Sequence, residues 1–515
     1  MQKPEGSRDV TLVGVIAAVI GINAFLYFLS RNQTYVHIDA IAHVNKARGI
    51  FDNFEWGLRN LGSVWLPLPH LLMAPLAAID RLWTNGAAGS ILSVISFVGT
   101  SVFLFLTGFE WTGSRIAGWV AFMLFALNPR LIYFFTTPEN EPLMIFCATG
   151  LIYYLLRWAH DENWRDLALA AVFVFAGTLT RYEGWALAAV SCVLVLLVTR
   201  TRRVTATILF MGAAVLGPML WMLYNMFYFA DPLMFTYGIG SALVNETGKT
   251  FGTSGRLLES FVRYFIDVAY SVNPGVLWLG VGGLVYAVFL LTRIDWRPML
   301  ILIAGSVTMF AFYVLNLYAG NISILLPGVV QNNPQSIYNV RYGTVMAATI
   351  PLFAALFVFI IWLQVERRRA VALLMLTPLV FPDPIPPASH ESIRQQFTEN
   401  LFYTEAIHNQ NFWMPPFIEV AQKLDDSGLI MTNTRIVHVV VWATGIPMRR
   451  FVTEMNEETW AWSFSNIDPR IRWVITEEGD QLWHARGKWL QENWAEVASR
   501  KTDVTGTVHL FRRPD

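Results

Sequence analysis

The stretch TLVGVIAAVIGINAFLYFLS, Thr11–Ser30, gives way almost at once to YVHIDAIAHVNKARGIFDNFEWGLRNLGSVWLPLP, Tyr35–Pro69. The first is apolar over roughly the 20 residues that a helix needs to cross a bilayer. The second is polar, and Asp39 lies near its start, so its carboxylate falls at the membrane surface, where a charge is costly without a partner or a task. His37 and His43 flank it, and at helical spacing Asp39 and His43 share one face. Two readings stay open: a carboxylate with chemistry to perform, or Asp39 as the cap of a short interfacial helix with His43 turned to water.

Composition agrees with a membrane protein. Of the 515 residues, 55% are hydrophobic and only 14% charged, too apolar for a soluble enzyme of this length. The formal net charge is +0, so nothing points to a nucleic acid partner. Cys147 and Cys192 both fall in apolar runs and read as packing residues rather than a disulfide or metal site. The first span lacks a signal-peptide cleavage pattern and reads as a retained anchor.

About ten further apolar runs follow, for about 11 transmembrane helices in all. They are Ser90–Phe109, Ile116–Phe135, Pro142–Leu156, Leu167–Leu179, Gly184–Val198, Val204–Phe229, Gly275–Leu291, Met299–Tyr318, Gly343–Val365 and Ala370–Phe381. The short ones must tilt, borrow flanking residues or be broken helices. Basic residues gather in every second connection, at Arg115, at Arg157 and Arg165, at Arg200, Arg202 and Arg203, at Arg293 and Arg297, and at Arg367, Arg368 and Arg369. By the positive-inside rule the N-terminus is cytoplasmic, and the Tyr35–Pro69, Ala230–Asn273 and Ala319–Arg341 loops face outward, as does the tail.

The tail opens with the Pro-rich linker FPDPIPPAS and then alternates helix with strand. FIEVAQKLDD and QLWHARGKWLQENWAEV read as helices; LIMTNT, IRWVITEE and VHLFRR read as strands. The expected organisation is a transmembrane module over residues 1–383, a linker over 384–416 and a small outward α/β domain over 417–515. No nucleophile elbow, phosphate loop or metal spacing lies in that domain, and docking or gating suits it better than chemistry.

Three motifs stand beside Asp39. In TTPENEPL, Thr136–Leu143, Glu139 and Glu141 alternate before a span; two such carboxylates can converge on a divalent cation, or serve as N-terminal helix charges with Pro142 in the first turn. In LTRYEGW, Leu179–Trp185, Arg181 and Glu183 share a tight connection. They either pair with each other or offer Arg181 as counter-charge to a phosphate or to the acids above. In QSIYNVRYG, Gln335–Gly343, Arg341 stands between Tyr338 and Tyr342 at the mouth of a late span. A guanidinium there can hold a lipid phosphate bidentately while the rings line the approach, or it can snorkel within an aromatic belt.

A first-loop acid after the first span, a T-P-E-x-E-P-L motif opening the fourth, the T-R-Y-E-G connection and an N-x-R-Y segment before a late span together resemble the GT-C superfamily of membrane glycosyltransferases. That group includes protein O-mannosyltransferases, the aminoarabinose transferase of lipid A and the catalytic subunit of oligosaccharyltransferase. The resemblance covers roughly Thr11–Val365. It implies Asp39 and Glu139 as catalytic positions, and a divalent ion (Mg or Mn) held by Asp39, Glu139 and Glu141. It implies a substrate-binding set of His43, Arg181, Glu183, Tyr338, Arg341 and Tyr342, with Arg341 on the phosphate of a polyprenyl carrier. Two departures narrow the acceptor. Ile38 and Ala40 flank Asp39 where protein O-mannosyltransferases show adjacent acids, and the WWDYG signature of oligosaccharyltransferase is absent.

The chemistry fits these residue types. A carboxylate can deprotonate the acceptor hydroxyl, and a cation or arginine can take the charge developing on a leaving phosphate. The expectation is a multi-pass glycosyltransferase of a cytoplasmic-type (inner) membrane, acting at its outer face on a polyprenyl-phosphate-linked sugar donor and a lipid, glycan or protein acceptor. A secondary transporter is the competing reading, although transporters set their polar residues near the bilayer midplane.

Overall fold

The structure, a computed structural model, describes residues 5–238, 241, 252–293, 295–326, 337–364, 405, 414–502 and 506–514. Among these residues, five helices are long and apolar enough to cross a membrane: Arg8–Ser30, Ala87–Thr112, Glu141–Asp161, Arg203–Phe229 and Trp296–Ala319. Two bent pairs, Leu257–Val272 with Pro274–Leu290 and Val340–Ala348 with Ile350–Trp362, bring the number to seven if each is one span. Shorter apolar helices cover Leu68–Ala77, Arg115–Ala126 and Glu183–Val198. The predicted run Ala370–Phe381, the Arg367–Arg369 cluster and the linker from Phe381 to Ser389 lie outside the described residues.

Where helices break, the sequence supplies the cause. The run expected over Ile116–Phe135 is two helices, Arg115–Ala126 and Pro129–Phe134. Asn128 caps the second, its side-chain oxygen accepting from the Arg130 amide at 3.0 Å, and Pro129 has no N–H with which to continue the first. The pair Leu257–Val272 and Pro274–Leu290 turns through 115° at Asn273, whose φ of 80° is a left-handed value that asparagine tolerates. Its side chain accepts from the Gly275 amide at 2.8 Å. The expected late span Gly343–Val365 begins instead as a 3₁₀ helix, Val340–Ala348, and becomes α-helical from Ile350. Helix Leu257–Val272 also occupies what reads in the sequence as the outer loop Ala230–Asn273.

The chain folds as two compact units. The first comprises Met1–Arg31, Ser63–Pro69 and Ser90–Phe402 and holds most of the apolar helices. Its core is built from small residues and aromatics such as Phe97, Phe125, Phe134 and Trp158, all buried. Close helix approach depends on glycine at two places that matter below. A Cβ on Gly184 would stand 2.3 Å from the Gly177 carbonyl oxygen, and one on Gly343 would stand 2.6 Å from the Asp267 carbonyl oxygen.

The second unit joins Asn32–Gly62 and His70–Gly89 to Tyr403–Asp515. Its five-stranded sheet runs β2-β1-β3-β5-β4, with β1 Leu429–Met431, β2 Phe451–Val452, β3 Ile471–Glu477, β4 Ala495–Lys501 and β5 Thr507–Arg512. β1 is parallel to β2 and β3, while β5 is antiparallel to β3 and β4. Met431, Val474, Leu482, Leu490 and Phe511 form the core between sheet and helices. The predicted alternation of helix and strand is present, with one shift. The helix from Gln481 stops at Asn493, and Ala495–Lys501 pairs with β5 as an edge strand. Its residues are mostly exposed, so cross-strand hydrogen bonds rather than a buried face decide its conformation. Helices Thr434–Thr444 and Glu457–Ser465 lie in stretches to which the sequence assigned no element.

Candidate functional site

In the first unit, three motifs far apart in the chain meet on one carboxylate oxygen. Glu141 is the first residue of helix Glu141–Asp161, and the turn before it is held by Ser93, whose hydroxyl donates to the Thr137 carbonyl at 2.6 Å. Glu141 Oε1 accepts from Arg341 Nε at 2.9 Å and lies 3.0 Å from Arg181 Nη1. Glu139 Oε2 is 3.9 Å from Arg341 Nε. Glu139, Glu141 and Arg341 are all buried.

Arg181 is the hub. Its Nε donates to Glu183 Oε1 at 2.5 Å and its Nη2 to Tyr313 Oη at 3.2 Å. Tyr313 in turn donates to Glu183 Oε1 at 2.9 Å. The close approach of Gly184 to Gly177 lets the T-R-Y-E-G connection turn tightly enough to present Arg181 and Glu183 side by side. Arg181 and Arg341 both lie over the Tyr342 ring, 5.6 and 5.3 Å from its centroid, a cation–π contact that strengthens when water is excluded. Tyr264 stacks on Tyr313 at 5.0 Å and its hydroxyl donates to the Tyr342 carbonyl at 3.2 Å.

Such an arrangement keeps its charges. Burial of a single ion would cost several kcal/mol, whereas a paired and hydrogen-bonded set is tolerated. Glu141 Oε2 is buried and has no hydrogen-bond partner among the described residues, so the carboxylate is held at one oxygen and presents the other. Among the described residues no group of three or more His, Cys, Asp or Glu side chains is set to hold a metal ion.

In the second unit, Asp39 is the second residue of helix Ile38–Gly49. The cap is His37, not Asp39: the His37 side chain accepts from the Asp39 amide at 3.3 Å. Asp39 is half-buried. His43 does not turn to water; it is buried, with Nδ1 3.0 Å from Nε2 of His70. Two residues on, Asn45 accepts from Trp83 Nε1 at 2.8 Å and its amide lies 3.4 Å from His438 Nδ1. Burial pushes His438 down to about 3, helped by the Lys46 charge and opposed by Asp39. Burial likewise lowers Lys46 to about 8, against the pull of Glu454.

Arg181, Glu183, Arg341, Tyr342, Glu139 and Glu141, which the sequence offered as candidates, are therefore neighbours. Tyr338 instead sits in a two-residue bridge with Leu325, its amide donating to the Leu325 carbonyl at 3.1 Å. The sequence reading missed Tyr313 and Tyr264. A hydroxyl inside the apolar run Met299–Tyr318 was the available signal for the first; the second lay in a supposed loop. Lys46, His70 and His438 were missed as well, since each becomes notable only through burial.

The profile of the family described as dolichyl-phosphate-mannose-protein mannosyltransferase matches residues 67–224, which include Glu139, Glu141, Arg181 and Glu183. No curated protein matches the chain by sequence. Among solved structures, ArnT from Cupriavidus metallidurans in the apo state superposes with a TM-score of 0.58 at 14% identity, over 98% of this chain and 98% of that one. The same protein bound to undecaprenyl phosphate gives 0.56 at 13% identity, over 96% and 97%. The oligosaccharyltransferase of Archaeoglobus fulgidus in complex with Zn and sulfate gives 0.51 at 12% identity, over 96% of this chain and 72% of that one.

Proposed function

With the GT-C fold shared with these membrane glycosyltransferases as premise, we propose that the chain transfers a sugar from a polyprenyl-phosphate donor to an acceptor hydroxyl at the outer face of the membrane. The acceptor oxygen attacks the anomeric carbon while the bond from that carbon to the phosphate oxygen breaks. The hydroxyl proton passes to Asp39, and the polyprenyl phosphate leaves. In-line displacement inverts the anomeric centre. Arg341 takes the charge that develops on the leaving phosphate, because its guanidinium stays protonated at any working pH and its planar fork matches two phosphate oxygens. Tyr342, which lies against both guanidiniums, lines the approach of the carrier.

The observation that carries this reading is the convergence of Arg341 and Arg181 on Glu141 Oε1. It makes one permanent charged cluster at the ends of apolar helices, with Glu141 and Glu183 each opening a helix. Position at helix ends supports an enzyme working at the membrane surface over a transporter with polar groups at the midplane. Arg181, with Glu183 and Tyr313, positions Glu141. His43 pairs with His70 in the unit that carries Asp39.

The second oxygen of Glu141, buried and without a hydrogen bond among the described residues, is the group in this unit that would hold a divalent ion, with the Glu139 carboxylate facing the same Arg341. Such an ion would supply further stabilisation of phosphate charge. The test of the whole reading is Asp39→Asn, assayed with a radiolabelled polyprenyl-phosphate sugar. Removal of the base should slow transfer by about 10²-fold or more while donor binding persists; turnover at the wild-type rate would exclude the mechanism.

A further inference from the structure

Helix Leu257–Val272 carries two stripes that face opposite ways. Ser260, Arg263, Tyr264, Asp267 and Ser271 recur at helical spacing and are buried, and this side holds the backbone that bears Arg341. Tyr264 bonds the Tyr342 carbonyl, and Gly343 packs against the Asp267 carbonyl with no room for a side chain. Leu258, Phe261 and Val262 form the other stripe and stand 77%, 47% and 45% exposed. A face of that size left in water would be costly for a single chain.

The next helix says what covers it. Pro274–Leu290 is apolar on all sides, and it leaves Leu257–Val272 at 115°. If the second helix crosses the bilayer, the first must run nearly along its surface. The apolar stripe is continuous with the exposed side of the crossing helix: Phe265 packs on Trp278 at 5.7 Å, and Trp278, Val285 and Phe289 follow at helical spacing, all exposed. Trp278 lies one turn inside the crossing helix, where a tryptophan marks the level of the lipid headgroups.

We propose that Leu257–Val272 is an interfacial helix whose Leu258–Phe261–Val262 face is seated in lipid, so that one leaflet supports the segment carrying Arg341. An apolar stripe opposite a polar one on a helix lying in the membrane plane is the physical signature of this mode. The partner is the acyl-chain region of phospholipid, whatever sugar the protein handles.

Leu258→Cys and Phe261→Cys, each spin-labelled in a background with Cys147→Ser and Cys192→Ser, would be reconstituted in phosphatidylcholine nanodiscs. Collisions with dissolved oxygen are compared with collisions with a water-soluble nickel chelate. Both sites should favour oxygen, with ratios between those of Val285→Cys on the crossing helix and Arg256→Cys before the interfacial one. A ratio equal to that of Arg256→Cys overturns the proposal, and protection from both reagents overturns it by assigning the face to a protein partner. Should the cysteine-free chain fail to fold, p-benzoylphenylalanine at position 258 of the native chain decides: phospholipid adducts on irradiation support the seating, and their absence removes it.

Discussion

Around Glu141, charged side chains are buried as pairs, whereas beside Lys46 the His438 imidazole is buried by giving up its charge. In the first region two guanidiniums and their carboxylates satisfy one another through hydrogen bonds of 2.5 to 3.2 Å. In the second, burial and the neighbouring Lys46 charge outweigh the Asp39 carboxylate and drive His438 to about 3. The difference teaches where a charged ligand can be served. A guanidinium keeps its charge at any working pH and can meet a phosphate throughout, while a buried imidazole that stays neutral contributes packing and a dependence on acidity.

The largest effect should come from breaking the paired region. Arg341→Ala leaves Glu139 and Glu141 buried with less compensation, and loss of one partner of a buried pair costs about 3–5 kcal/mol. Both the unfolding midpoint and the affinity for undecaprenyl phosphate should fall, and Arg341→Lys should recover part of the affinity because it keeps charge but loses the fork. Titration of that lipid against the three proteins checks this, and equal affinity in all would remove Arg341 from the phosphate.

A smaller effect is expected at Tyr313, whose hydroxyl bridges Arg181 and Glu183. Tyr313→Phe leaves those two groups each short of a partner, at a cost of about 1–3 kcal/mol. The loss should be much smaller when Arg181→Lys is already present, because the two residues act through one network. Additive losses in a double-mutant cycle of thermal unfolding would show that the bridge does not couple them.

The smallest effect at neutral pH, and the one most revealing of the contrast, concerns His438. Its folded value of about 3 lies below the ordinary 6.5, so the unfolded chain binds more protons between those limits and stability falls as pH drops from 6.5 towards 3. His438→Gln keeps an acceptor for Asn45 and should flatten that acid limb while leaving the midpoint at pH 7 nearly unchanged. Unfolding midpoints measured from pH 7 down to 4 decide it; an unaltered slope would mean that His438 does not titrate as its burial requires. Lys46 works in the same sense at the alkaline end. Its value of about 8 against 10.5 makes the stability it contributes appear as pH rises through that range.

Much of this was legible in the sequence. Apolar runs show as transmembrane helices because hydropathy over about 20 residues is a local property that no tertiary contact overrides in lipid. Alternating patterns in the tail show its α/β character for the same local reason. The motifs T-P-E-x-E, T-R-Y-E-G and N-x-R-Y are visible as polar residues where polar residues are expensive, and the structure brings them together. Their partners were not visible. Arg341 and Glu141 stand 200 residues apart, and no periodicity says that two arginines will share one oxygen. Nor did pattern reveal that Ala230–Asn273 holds a helix with one face to the cluster and one to the exterior, because an amphipathic stretch without a long apolar run reads as a loop. The sequence alone determined which segments are apolar enough to cross a membrane and which polar residues interrupt them. Only the tertiary structure decided which charges meet, since burial and pairing depend on what the fold sets opposite each side chain, and a chain pattern carries no record of that.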